Sequence, residues 1–351
     1  MLDFVSEPTL VALIGLFGGI LLGLAARIGR FCTLGAIEDL FYGENTLRLR
    51  MWGIAIGVSV IGTFGLSALG LIDLGETLYL SRNWNPVASV IGGLLFGYGM
   101  ALAGNCGYGA LARLGGGDIR SLLIVIVMGV SAYMTLGGPL SALRIWAFGG
   151  GEEVETLPTL ALTLSQLTGQ SLEISGIVIG LAILCLTLAN KKLFASFSHV
   201  FWGAVAGVAI VSGWAGTYWV SANGFDATPV VSHTFSAPLG ETLLYAMTSS
   251  GNSISFGTGS VVGVLIGSLI GSLIKGHFRW EACDDPRELR RQLLGAFLMG
   301  VGAVVAVGCS IGQGLSAFSV LAYSAPITLL CIMAGAAVGL RQLILGFSPS
   351  I

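Results

Sequence analysis

Apolar residues run along this chain in long blocks, broken at fairly regular intervals by glycine, proline and short polar stretches. Read with those breakers, the pattern predicts nine membrane-crossing helices over 10–28, 49–71, 86–105, 119–138, 173–190, 199–220, 257–275, 289–308 and 325–345. Most of these approach the roughly 20 residues an α-helix needs to cross about 30 Å of hydrocarbon. The segments 31–42, 107–115, 237–249 and 310–322 are too short or too interrupted to cross and read as re-entrant half helices. An outer-membrane barrel would instead show alternating segments of about ten residues. The expected class is therefore an all-α polytopic membrane protein with about nine transmembrane helices plus re-entrant half helices.

Composition strengthens that reading. Hydrophobic residues make up 54% and charged residues 10% of the 351, with a mean hydropathy of +0.89; soluble domains carry about 25% charge. The segment before the first block has no Lys or Arg, unlike the basic start of a signal peptide, so the block is read as a membrane helix. No basic tail or aromatic-basic face suggests nucleic acid. Charge distribution then fixes an orientation. With the N-terminus outside, only Arg82 and Arg144 of the 16 basic residues fall outside. The other fourteen, Lys191 and Lys192 among them, fall inside, as the positive-inside tendency requires. The acidic run Glu152, Glu153 and Glu155 falls in an outer loop. The expectation is an inner (cytoplasmic) membrane protein with its N-terminus out and C-terminus in.

An internal repeat appears at an offset of 203: Gly97-Tyr98-Gly99 and Cys106 match Gly300-Val301-Gly302 and Cys309, and Gly109 matches Gly312. Glu38, Leu40 and Tyr42 match Glu241, Leu243 and Tyr245 at the same offset. Four helices in 1–172, a connecting helix at 173–190 and four more in 199–351 make the second copy inverted relative to the first. Broken helices at matching positions of inverted halves are the best sequence pointer to a transporter's substrate site, and here they hold Cys106 and Cys309.

Glycine supplies 54 residues. Runs such as Gly15, Gly19 and Gly23, or Gly259, Gly263, Gly267 and Gly271, are small-residue faces for close helix packing. The clusters Gly104 to Gly109 and Gly308 to Gly314 differ, because dense glycine with polar residues breaks the helix at membrane depth. Such backbone is tolerated where protein buries it or it lines a wet cavity. Six cysteines occur without a CxxC pair, which fits neither a zinc site nor a secreted disulfide framework. Cys185, Cys283 and Cys331 read as packing residues. His199, His233 and His277 sit near membrane ends or loops, too scattered for a metal site, and no cofactor is implied.

Gly29-Arg30-Phe31-Cys32, the run Gly92 to Cys106, and Phe297 to Ala303 followed by Gly308-Cys309 resemble the YeeE/YedE family of sulfur-compound transporters. The resemblance covers most of the chain and implies an hourglass-shaped fold. Its short helices would point at a central constriction lined by Cys32, Cys106 and Cys309, with Asn105, Gly107, Gly308, Ser310 and Gln313 beside them. It implies uptake of a small sulfur-containing anion, thiosulfate in the best-known members, with a small cytosolic sulfur-carrier protein as a further partner. Family members usually have Gly where this chain has Asn105, and Asn and His where it has Ser310 and Gln313. The hydrogen-bonding lining is thereby altered while the thiols and breaks are kept.

Thiosulfate has an anionic sulfonate end and a soft terminal sulfur. A neutral thiol donates a weak S–H bond to that sulfur without adding negative charge, so a relay of S–H contacts is the expected mechanism. Half-helix N-termini supply complementary N–H groups. Moving a dianion inward costs roughly 2 × 2.3 kcal/mol per 100 mV, so accumulation needs proton coupling or consumption inside. Arg30 and Arg113 are candidates for guiding the anion, and Glu38 and Glu241 for gating or for holding the half helices. The reading is a transporter and no enzyme. A membrane thiol oxidoreductase pairing Cys106 with Cys309, or a sulfur-signalling or relay component, stands as the alternative.

Overall fold

In the computed structural model the described residues are 6–149, 157–190, 193, 196–282 and 285–346. Glu152, Glu153, Glu155, Lys191, Lys192 and Cys283 lie outside them. The described elements are helical, and their β-type contacts are three isolated bridges.

The nine expected spans coincide with nine helices. These are α1 (Glu7–Arg27), α3 (Leu47–Ala68), α4 (Pro86–Ala103), α6 (Ile119–Leu136), α9 (Leu172–Leu188), α10 (Phe197–Asn223), α12 (Phe256–Lys275), α13 (Pro286–Val305) and α14 (Ser324–Leu345). Between them lie the short helices α2 (Thr33–Phe41), α5 (Gly107–Leu114), α7 (Ser141–Phe148), α8 (Leu160–Thr168) and α11 (Ala237–Thr248). Seven spans are long and apolar enough to cross a membrane alone, one of them being α4 continued into α5. An eighth results if α8 and α9, bent by 110°, count together. Helix α13 has the length, but Arg287, Glu288, Arg290 and Arg291 fill its first turns.

Local sequence sets the boundaries. Asn85 caps α4 through Ala88 N–H at 3.1 Å with Pro86 next, and Asp285 and Pro286 repeat that device on α13. An N-cap acceptor followed by proline suits a helix start, where the first N–H groups have no intrahelical partner. Gly276 ends α12 in the left-handed region, φ +67°.

Packing follows the small-residue faces. Helix α1 lies against α12. A methyl on Gly15, Gly19 or Gly23 would overlap backbone carbonyls of Phe256, Ser260 or Val264; one on Gly259, Gly263 or Gly267 would overlap those of Ala12, Leu16 or Ile20. The pairings recur at an offset near 203: α1–α12 with α3–α10, α4–α14 with α6–α13, and α2–α14 with α6–α11. Helix α1 also meets α10, and α4 meets α13.

Two loop segments enter the core, one before α4 (72–85, with a single 3₁₀ turn at Leu74–Glu76) and one before α11 (224–236). They touch through a Thr77–Val230 bridge, with Leu78 N–H donating to Val230 O at 3.2 Å. His233, expected in a loop, is in this loop, but the loop is buried and the side chain with it. Its Nδ1 lies 2.6 Å from Ser260 Oγ.

Candidate functional site

The three cysteines share one local design. Cys32 is the N-cap of α2 and Cys106 that of α5, accepting from Gly35 N–H at 3.5 Å and Gly109 N–H at 3.4 Å. Cys309 opens the helical stretch 310–319 and accepts from Gly312 N–H at 3.4 Å. Each is a Cys-x-x-Gly in which sulfur takes the place of a capping hydroxyl. Two residues before each cysteine the chain turns left-handed, at Arg30 (φ +58°), Gly104 (φ +76°) and Val307 (φ +55°). The turn at Val307 has both bonds of a Schellman motif, Gly308 N–H to Ala303 O at 2.7 Å and Val307 N–H to Val304 O at 3.3 Å. One helix stops, the backbone reverses, and a cysteine starts the next.

These breaks converge. Cys106 and Cys309 are buried, 1% exposed each, and Cys32 is half-buried. Cys106 lies within electrostatic reach of both other thiols, with the Ser310 hydroxyl beside it but outside normal hydrogen-bond geometry. Cys309 Sγ accepts a second backbone bond, from Phe235 N–H at 3.2 Å, and lies 3.6 Å from Thr234 Oγ1. All five described cysteines are free thiols. Because the sulfurs of Cys32, Cys106 and Cys309 accept from backbone N–H, their own S–H groups remain available as donors. The middle of the third short helix, Gly312–Ala317, is π-helical, a distortion frequent at functional sites.

Buried polar atoms without partners cluster at these breaks: Thr33 Oγ1, Asn105 Oδ1, Ser310 Oγ and Gln313 Oε1. Such atoms cost about 1–3 kcal/mol each when nothing pairs with them, and these four lie beside the three helix breaks that carry the thiols. Gln313 is fixed, since its Nε2 donates to Ala306 O at 2.9 Å and Val307 O at 3.0 Å and so clamps the end of α13.

Two chambers flank the cluster. One, of about 390 Å³, is lined by Cys32, Gly35, Glu38, Gly104, Asn105 and Gly109 together with Arg27, Arg30, Arg48 and Arg113. The other, of about 170 Å³, is lined by Tyr79, Arg82, Arg144, Val307 and Gln313. Ala88 and Ser89 of α4 face the second chamber, and Gly104 and Asn105 just past its far end face the first. Eighteen residues at 1.5 Å rise put those ends about 27 Å apart. Between the chambers lie the buried thiols and the Tyr108–Phe235 ring pair, centroids 5.4 Å apart.

The expected residues thus divide. Arg30, Glu38, Arg113 and Asn105 share a chamber with Cys32, and Gln313 faces the opposite one. Gly107 packs against the Phe235 carbonyl, and Gly308 lies against Gln313 and the Tyr79 hydroxyl. Glu241 stands apart from both chambers and accepts from Ser255 Oγ at 3.0 Å, tying α11 to the start of α12. Sequence reasoning missed Tyr79 and Thr234, whose hydroxyls meet beside Cys309. It also missed Arg82 and Arg144 as chamber residues, although their isolation from the other fourteen basic residues was a usable signal.

The model of the family described as "Sulphur transport" matches residues 28–338. The chain belongs to that family. It is 28% identical over 339 residues to the thiosulfate transporter TsuA of Escherichia coli (92% of this chain, 91% of that protein). It is 25% identical over 318 residues to TsuA of Spirochaeta thermophila (88% and 92%). A shorter match, 33% over 120 residues, is to the probable transporter YedE of E. coli (34% and 28%). This membership makes the chain a multi-pass membrane transporter of the sulphur transport family rather than an enzyme, in keeping with its apolar helices.

Proposed function

We propose that this protein takes up thiosulfate, or a closely similar small sulfur anion, across the inner membrane through the three-cysteine constriction. The observation that carries the reading is the arrangement of two arginine-bearing chambers at opposite ends of α4 with the buried thiols between them. The Arg82/Arg144 chamber is the outer mouth and the four-arginine chamber the inner one, with the N-terminus outside and the C-terminus inside. The basic asymmetry along the sequence and the names of the two full-length relatives support this assignment. The reciprocal helix pairings support two inverted halves, 1–172 and 199–351, joined by 173–190.

In this mechanism the guanidinium groups hold the anion's charge in each chamber and the S–H groups of Cys309, Cys106 and Cys32 hold its soft sulfur in succession. Weak sites in series suit passage, because each must release the ion to the next. The basic ledge with Arg120 and Arg279 beyond the inner chamber suits delivery to a small cytosolic sulfur-carrier protein. Uptake of ³⁵S-labelled thiosulfate by cells expressing the protein tests the function. Label accumulation that is lost with Cys106→Ala supports it; uptake of sulfite with none of thiosulfate would reassign the substrate.

A further inference from the structure

The four-arginine chamber is the larger and the more basic of the two, about 390 Å³ against about 170 Å³. Arg27 Nε donates to Ser272 Oγ at 2.6 Å and Arg113 Nη2 to Gly104 O at 3.3 Å, so both guanidinium groups are held in place by neutral partners. Arg48 pairs with Asp39 at 3.2 Å. Arg30 is exposed, and its guanidinium makes neither a hydrogen bond nor an ion pair among the described residues. The carboxylate facing this chamber, Glu38, feels Arg113 and Arg48 without forming an ion pair with either. Four guanidinium groups against Glu38 and Asp39 leave two positive charges uncompensated. Asn105, 2% exposed, lines the same chamber, but its unpartnered Oδ1 only accepts hydrogen bonds, so recognition of an anion there falls to the guanidinium groups.

We propose that this chamber is a binding site for a tetrahedral oxyanion dianion, of the sulfate or hydrogenphosphate class, entering from the cytosol. The proposal rests on the chamber's assignment as the inner mouth. Guanidinium groups read charge and tetrahedral oxygens, with no requirement for a soft sulfur. The chamber therefore admits ions that the thiol constriction does not pass. An oxyanion seated there occupies the exit and opposes the next substrate ion electrostatically, so cytosolic sulfate slows uptake from the other side. Glu38 limits the effect: its unpaired negative charge weakens binding enough for the site to empty.

Equilibrium binding of ³⁵S-sulfate to the detergent-solubilised full chain tests this without regard to orientation. One saturable site per chain is expected, displaced by phosphate, weakened roughly tenfold by Arg30→Gln and tightened several-fold by Glu38→Gln. Gain of affinity in Glu38→Gln cannot arise from misfolding, which keeps the test decisive if the arginine variant is unstable. Absence of saturable binding overturns the proposal, as does weakening by Arg82→Gln in place of Arg30→Gln. In vesicles of purely zwitterionic lipid, luminal sulfate should slow thiosulfate entry. Slowing that requires an anionic lipid and ignores luminal sulfate would make the ligand a headgroup and overturn the free-ion proposal. Sulfate binding in a protein that fails to take up thiosulfate would refute only the proposed function.

Discussion

Replacing each cysteine by serine and by alanine separates two jobs that one sulfur performs. As an N-cap, Cys106 Sγ accepts from Gly109 N–H at 3.4 Å, a long bond to a weak acceptor. A serine hydroxyl is among the best N-caps, so Cys106→Ser should keep α5 and the helix break intact. Cys106→Ala removes the acceptor and should cost about 1 kcal/mol. Cys309 is different, because its sulfur satisfies both Gly312 N–H and Phe235 N–H in a buried setting. Alanine there leaves two buried donors unpaired at about 1–3 kcal/mol each, so a loss of roughly 2–6 kcal/mol follows. Thermal unfolding in detergent should rank wild type and Cys106→Ser together, Cys106→Ala lower and Cys309→Ala lowest. Thiosulfate uptake should fail in all three variants, since neither a hydroxyl nor a methyl offers a soft sulfur contact. Cys106→Ser transporting at the wild-type rate would refute the thiol relay, and Cys309→Ala as stable as Cys106→Ala would refute the double-acceptor geometry.

Val307→Gly should stabilise the protein by about 1 kcal/mol, because a β-branched residue at φ +55° is strained where glycine is not; an unchanged unfolding midpoint would count against that strain. Gln313→Leu should free the Ala306 and Val307 carbonyls and lower stability by roughly 1–3 kcal/mol, read by the same unfolding assay. Gly263→Leu should push α1 from α12, whose backbones meet at the Leu16 carbonyl, and yield little monodisperse protein on gel filtration. Glu241→Gln should retain most uptake, because its bond to Ser255 survives as an amide contact; complete loss of uptake would give its charge a role in transport.

Much of this fold was legible in the hydrophobic pattern. Blocks of apolar residues ended within a few positions of helix boundaries because caps such as Asn85-Pro86 and Asp285-Pro286 are written in adjacent residues. The half helices were legible for the same reason, since a glycine-rich break is a local event. What adjacent residues do not encode is which distant segments meet. The buried loop carrying Thr234 and Phe235 reaches Cys309 across 74 or more positions, and Tyr79 approaches Gly308 and Gly312 across more than 200. Glu38 and Glu241 match in the repeat yet differ in surroundings, one beside arginines and the other beside Ser255, because the second copy lacks a counterpart to Arg48. The recurrence of Cys-x-x-Gly three times was visible in the sequence, but its meaning as a sulfur N-cap required the geometry.

In the proposed function a sulfur anion passes between two arginine-bearing chambers through three thiols. Purified protein in proteoliposomes, given thiosulfate labelled at its outer sulfur, tests this most directly. Label should accumulate in the lumen with time, and the accumulation should fall to the empty-vesicle level with Cys32→Ser, Cys106→Ser or Cys309→Ser, each confirmed as folded. Wild-type accumulation in any one of those folded serine variants would contradict it.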